Sequence, residues 1–247
     1  MSQNLEQTLK EAATKNLSFA ATLESLADLE LAARNRRAVE RRFHLSRLHA
    51  QPSIDTFHFQ HHKSRMQSKS RILRLLDLNF LQEGTNVVLI GNPGTGKTYL
   101  AQILGWRACQ ANVRTLFTSA MDMLNHLLAS QVDHSLVRKL RFYTDPTLLI
   151  CDELGYLSLD QQTSNLFYQV ISTRHSQHKS TVITTNTAFS DWGATSFTTP
   201  PSPRPLPIVS WKTPRSIFLL GGGSLRKGNR NLKQAPRCDD SSHGIRM

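Results

Sequence analysis

Eight consecutive residues, Gly91-Asn92-Pro93-Gly94-Thr95-Gly96-Lys97-Thr98, limit what this chain can fold into more than any other feature. They fit the pattern G-x-x-x-x-G-K-[ST] and lie between an apolar run, NVVLI at 86–90, and a helical pattern at 97–109. Such a loop works only in that setting. Its glycines let backbone N–H groups close around a polyphosphate, and the first turn of the following helix aims its positive dipole end at the same point. Lys97 supplies a point charge for the β- and γ-phosphates, and the Thr98 hydroxyl is a ligand for Mg²⁺.

The surrounding sequence supplies the sheet that the loop requires. VRTLF (113–117), TLLIC (147–151) and STVITT (180–185) are further short, near-continuous apolar runs, with helical patterns at 97–109, from 121 and at 160–173 between them. Strands of this texture alternating with helices predict a parallel sheet covered on both faces. The expected fold is α/β: a three-layer core with a parallel sheet, preceded by a small all-α N-terminal domain.

A phosphate loop needs an acidic partner at the end of a neighbouring strand. Leu148-Leu149-Ile150-Cys151-Asp152-Glu153 is an apolar strand closed by two acids. Asp152 is placed to complete the Mg²⁺ shell and Glu153 to polarise the attacking water as general base. The fourth run ends in Thr184-Thr185-Asn186, beside both motifs in a parallel sheet. There Asn186 can contact the γ-phosphate or orient the water, although asparagine also ends strands for turn reasons. Cys151 reads as a small buried apolar residue.

Upstream, Leu5, Leu9, Ala12, Ala13, Leu17, Ala20, Leu23 and the residues that follow recur at helical spacing, so 2–48 reads as helix, ended by Gln51-Pro52. The formal charge is +12, and a dense part of it lies between Arg34 and Arg74, where 11 Lys/Arg face only Glu40 and Asp55. Arg34, Arg36, Arg37, Arg41 and Arg42 are candidates for phosphate contacts on double-stranded DNA; a solvated helical face is the alternative. Arg138, Lys139 and Arg141, just before Asp145-Pro146, carry the same two readings. Residues 53–82 read as a linker, and His61-His62 as solvated or phosphate-facing, since adjacent histidines point apart and no carboxylate is near.

Three cysteines (Cys109, Cys151, Cys238) without metal-type spacing give neither a disulfide framework nor a zinc site. No apolar run approaches the ~20 residues needed to cross a bilayer, and the N-terminus has no secretory h-region. A cytoplasmic location with no membrane partner is the expectation.

The segments GNPGTGKTYLAQILGWRAC, LLICDELGYLSLDQQTSNLFYQVIS and STVITTNTAFSDWG resemble the AAA+ ATPases and, within them, the IstB-like helper ATPases of bacterial insertion-sequence transposases. The helicase loaders DnaC and DnaI share that core. The resemblance runs from about residue 20 to Gly193, and DELGYL at 152–157 is its most specific part. It implies Walker A residues 91–98 binding ATP, Walker B residues Asp152 and Glu153, and sensor-1 Asn186. It also implies a homo-oligomer on DNA that recruits and stimulates a cognate transposase. The division implied is a helical domain at 1–62, the ATPase core at 63–193 and a tail at 194–247. A helicase loader, and a remnant that keeps only ATP and DNA binding, are the competing readings.

After Gly193 the pattern breaks. Six of the ten prolines fall between Pro200 and Pro214, a density no helix tolerates. IFLLGGGSLRKG (217–228) then resembles the family again. One permitted codon set for residues 194–215 also encodes, one frame over, DILYNTTIATAIADRLVENSE, an amphipathic, proline-free string resembling the helix the family carries there. Two compensating frame changes account for both strings, and they displace the arginine that such assemblies are expected to extend to the neighbouring subunit's γ-phosphate. A natural flexible linker is the alternative.

Overall fold

The N-terminal leucine and alanine pattern folds into two helices rather than one. In the computed structural model, which describes residues 2–61, 63–154, 160–187 and 216–219, α1 spans Ser2–Thr14 and α2 spans Phe19–Ser46. The break has a local cause. Asn16 turns left-handed (φ 50°), and the Ser18 hydroxyl caps α2 by accepting the Ala21 N–H. At the far end Arg47 takes a left-handed C-cap (φ 59°), so α2 stops before Pro52 is reached. Its last turns pack on the core: Phe43 meets Trp106 edge-on, ring centroids 5.5 Å apart, and Leu48 is buried.

Residues 53–82, expected as a linker, are part of the folded body. Three short helices, α3 (Lys63–Gln67), α4 (Lys69–Leu75) and α5 (Asn79–Gln82), follow one another there. Phe57, Ile72, Leu75 and Phe80 are buried against the core, which is what anchors this segment to the folded body.

Five strands form one sheet: β1 (Asn86–Ile90), β2 (Thr115–Ser119), β3 (Leu148–Asp152), β4 (Ser180–Thr185) and β5 (Ser216–Leu219). The order is β2-β3-β4-β1-β5 and every pairing is parallel. Side-chain alternation divides the core into two layers. Val87, Leu89, Leu148, Ile150 and Val182 pack with α4 and with Leu100, Ile103 and Leu104 of α6 (Lys97–Gln110). Val88, Ile90, Leu149, Cys151 and Ile183 pack against α7 (Ala120–Val132), α8 (Leu136–Thr144) and α9 (Gln161–Ser176). Helices on both faces explain why β1, β3 and β4 are buried throughout.

The sequence reading did not anticipate α8. Leu136, Leu140 and Tyr143 face the core, while Arg138 and Arg141 are exposed. The end of α9 is fixed by Arg174, a guanidinium with no exposed surface. It donates to the carbonyls of Tyr143 (3.1 Å), Pro146 (2.7 Å) and Thr147 (3.2 Å), and to the Thr181 hydroxyl (3.0 Å). Those partners lie at the end of α8 and around the starts of β3 and β4, so one side chain ties the bottom of the sheet together. The proline-rich segment and the basic tail expected at 194–247 lie outside the described residues, apart from β5. Among the described residues no helix is long and apolar enough to cross a membrane.

Candidate nucleotide-binding site

Strand order decides which chain ends meet. β4 lies between β1 and β3, so the loop leaving β1 and the acids closing β3 face each other across the end of β4. In open parallel sheets ligands bind outside the carboxyl ends of the strands, where the order reverses. Gly91 enters the loop with its N–H donating to the Thr185 carbonyl of β4 (3.2 Å). Asn92, Pro93 and Gly94 are exposed, and Thr95 is buried with its hydroxyl on the Asn92 carbonyl (2.8 Å). Gly94 and Gly96 take φ values of 79° and 83°, a region that side chains avoid, and Gly96 caps α6. The first N–H groups of α6 have no partner within the helix and carry its positive dipole end.

Lys97 and Thr98 occupy the first turn of α6. The Lys97 ammonium donates to the carbonyls of Gly91 (2.8 Å) and Asn92 (3.1 Å), so it lies along the loop rather than out in solvent. Burial lowers its pKa below the ordinary lysine value, and Asp152 and Glu153 pull in the opposite direction. The Thr98 hydroxyl donates to Oδ1 of Asp152 at 3.0 Å, across 54 residues of sequence.

Asp152 is 6% exposed. It accepts from the Thr98 and Thr184 hydroxyls, and among the described residues no basic side chain is within ion-pair distance of it. A buried carboxylate satisfied by hydroxyls alone, with a threonine oxygen beside it, is a hard oxygen donor set suited to Mg²⁺. Glu153 is exposed and sits at φ 60°, a conformation costing roughly 1–2 kcal/mol for a side-chain-bearing residue. Its N–H donates to the Thr184 hydroxyl (2.9 Å), which holds the turn after β3. Residues 155–159, including the GYL of the DELGYL stretch, lie outside the described residues.

Asn186 directly follows β4 and is half-buried, its side-chain oxygen accepting from the Thr187 hydroxyl at 3.4 Å. The bonds from this strand end to the acids come from Thr184, which the sequence reading passed over. The threonine was visible at the strand end; which of three successive polar residues faces the acids is set by the pleat.

The basic candidates divide by environment. Arg34, Arg36, Arg37 and Arg41 are exposed on α2. Arg34 pairs with Glu30 at 2.8 Å and Arg37 lies 3.6 Å from the same carboxylate; Glu30 falls just outside the Arg34–Arg74 window in which acids were counted. Arg42 is half-buried and donates to the Cys109 carbonyl in the last turn of α6 (2.9 Å), a favourable place for a cation at a helix C-terminus. Arg138, Lys139 and Arg141 line an open cleft of about 1100 Å³ together with Arg47, His126 and Phe142. There the Arg47 guanidinium lies 4.8 Å from the centre of the Phe142 ring. Lys139 donates to His126 Nε2 (2.7 Å), whose Nδ1 meets the Tyr143 hydroxyl (2.8 Å).

The IstB-like ATP binding protein family model matches residues 1–199. An ATP-binding protein of insertion sequence IS5376 from Geobacillus stearothermophilus is 34% identical over 193 residues, covering 78% of this chain and 76% of that protein. An ATP-binding protein of insertion sequence IS232 from Bacillus thuringiensis is 32% identical over 192 residues, with the same coverage of each. Among solved structures, the DnaC helicase loader superposes with a TM-score of 0.56 at 21% identity, over 65% of this chain and 92% of that one. DnaA bound to AMPPCP and single-stranded DNA gives 0.53 at 16% identity, over 72% of this chain and 54% of that one. At those identities the likeness is one of fold.

Proposed function

The chain belongs to the family of IstB-like ATP-binding proteins, insertion-sequence proteins of the P-loop AAA+ kind, and we propose that it is a transposition helper. In this reading it binds ATP, assembles as a homo-oligomer on double-stranded DNA and recruits or stimulates a separate transposase. The observation that carries the nucleotide part is the 3.0 Å hydrogen bond between Thr98 and Asp152, which brings the end of the phosphate loop and the end of β3 to one point.

The proposed division of labour follows from the residues. Residues 91–98 hold the triphosphate: N–H groups of the loop and of the first turn of α6 donate to the phosphate oxygens of ATP, and Lys97 turns from its own loop carbonyls to the β- and γ-phosphates. Thr98 and Asp152 hold Mg²⁺, which when bound neutralises charge on the phosphate oxygens. Glu153 takes a proton from the attacking water, and Asn186 orients that water. Arg34, Arg36, Arg37 and Arg41 on α2, and Arg138, Lys139 and Arg141 at the cleft, contact DNA phosphates; Arg42 supports α2 from behind. The working division is a helical domain at 1–62, an ATPase core at 63–193 and a tail at 194–247, with the last turns of α2 shared between the first two.

A second reading is favoured by one observation, the six prolines between Pro200 and Pro214. If the displaced frame removed a helix and its arginine, this version binds ATP better than it hydrolyses it. The proposed function is tested by capture: full-length protein on duplex DNA, with ATP, is expected to retain its cognate transposase and not a replicative helicase. Retention of the helicase alone makes the chain a loader; retention of neither, with ATP and DNA still bound, makes it a remnant.

A further inference from the structure

Arg65 lies in the basic block that the sequence offers to DNA, yet its side chain is turned inward on the phosphate loop. From α3, Nε donates to the Thr95 carbonyl at 2.8 Å and Nη2 to the Gly94 carbonyl at 3.2 Å, while Nη1 reaches the His58 carbonyl at 3.1 Å. The guanidinium lies 4.7 Å from the centre of the Phe57 ring, and Phe57 is 3% exposed, so the fork is seated on a fixed support. The seat is tight. A Cβ on Gly96 would come within 2.7 Å of the Arg65 guanidinium and 3.0 Å of the Phe57 ring. This is a second reason, beside its φ of 83°, for glycine at position 96.

We propose that Arg65 is a positioning residue for triphosphate binding: it grips the outer carbonyls of the loop and thereby aims the loop's N–H groups at the phosphates. The reasoning rests on the reading of residues 91–98 as a nucleotide site. In a planar trans peptide the C=O and the next N–H point in opposite directions. Holding the Thr95 carbonyl on one side therefore holds the Gly96 N–H on the other. Two adjacent carbonyls taken by one planar fork are held in a fixed mutual orientation, which a rotating ammonium on an unbranched stem does not impose even where it reaches two carbonyls. Without the fork, a loop containing two glycines at positive φ samples many orientations, and ordering them is charged against binding. Arg65 touches no phosphate in this account; it acts through the loop, from a segment that leads directly out of the N-terminal helices.

The test uses the full chain and the variants Arg65→Ala, Arg65→Lys and Lys97→Ala, with Mg²⁺-ATP and inorganic tripolyphosphate as ligands. Arg65→Ala and Arg65→Lys are expected to weaken both ligands by the same factor, about tenfold or more, at a temperature where circular dichroism shows each ligand-free variant folded. Tripolyphosphate has no base or sugar, so an equal loss locates the effect at the phosphates. Wild-type affinity in Arg65→Lys, or a loss confined to ATP, overturns the proposal; should Arg65→Ala fold poorly, Arg65→Lys decides alone. Lys97→Ala separates the two layers of the argument. If it abolishes binding while the Arg65 variants bind normally, only the role of Arg65 is lost. If it binds normally, the nucleotide site itself is wrong and Arg65 goes with it.

Discussion

The Thr184 hydroxyl donates to the Asp152 carboxylate and receives the backbone N–H of Glu153. One oxygen on β4 thus holds both acids at the end of β3, and through Asp152 it is linked to Thr98 on α6. Thr184→Val keeps the shape and deletes the hydroxyl, leaving the Glu153 N–H without its partner and Asp152 one donor short. A hydrogen bond to a charged group contributes about 1.5–3 kcal/mol. The Mg²⁺-dependent part of the ATP affinity is therefore expected to fall by roughly tenfold or more, and Thr184→Ser is expected to restore it. Titrations of ATP with and without Mg²⁺ check this; an unchanged Mg²⁺ effect in Thr184→Val contradicts it.

The basic residues of α2 are expected to separate in a salt titration of DNA binding. Arg36 and Arg41 are exposed, so alanine at either should lower the slope of log K against log salt by about 1. Arg42 is engaged with the Cys109 carbonyl. Its alanine variant should lower the melting temperature and leave the slope alone. A slope change in Arg42→Ala equal to that of the exposed pair would contradict this assignment.

At the cleft, burial first and then the neighbouring Lys139 and Arg47 charges lower the pKa of His126 below the ordinary 6.5, with Asp133 opposing. The Tyr143 hydroxyl on Nδ1 is neutral at these pH values. The sign follows from linkage: between the folded and unfolded values the unfolded chain binds the proton and the folded chain does not, so stability rises with pH. Stability is full above about pH 6.5 and declines as pH falls toward the folded value. Denaturant midpoints at pH 7.5 and 5.5 should differ in the wild type and differ less in His126→Gln. An equal difference in both would remove His126 from the account.

The segment between β4 and β5 yields a prediction at the level of codons. If the nucleotides for residues 194–215 also read as DILYNTTIATAIADRLVENSE in the neighbouring frame, a chain carrying that string should hydrolyse ATP far faster than this one. A trans-acting arginine is worth about 10³–10⁵ in related NTPases. Equal turnover by the two chains contradicts the loss of hydrolysis, and nucleotides that do not encode both strings eliminate the frame explanation.

Much of this architecture is legible in the sequence because its strands are buried on both faces. Residues 86–90 and 180–185 are read to the residue, the first because it is a short apolar run and the second because five of its six residues are β-branched. The acids at 152–153 and the loop at 91–98 stand out because their chemistry demands fixed spacing. What escapes reading is relational. Asn16 and Ser18 divide one helical pattern into two by a left-handed turn and a cap, features that leave the spacing of leucines undisturbed. Glu30 meets Arg34 and Arg37 later in sequence because α2 brings them onto one face, one and two turns on. Arg65 is one basic residue among many until α3 folds it onto the carbonyls of Gly94 and Thr95. In each case the missing information is which group lies opposite, and only the fold supplies it.

Lys97, Thr98 and Asp152 are proposed to gather around one magnesium triphosphate. Calorimetric titration of ATP into the full-length chain, with and without Mg²⁺, tests this arrangement most directly when repeated on Lys97→Ala and Asp152→Asn. Lys97→Ala is expected to lose measurable binding, and Asp152→Asn to retain binding but lose most of its Mg²⁺ dependence. ATP binding by Lys97→Ala with wild-type affinity would contradict it.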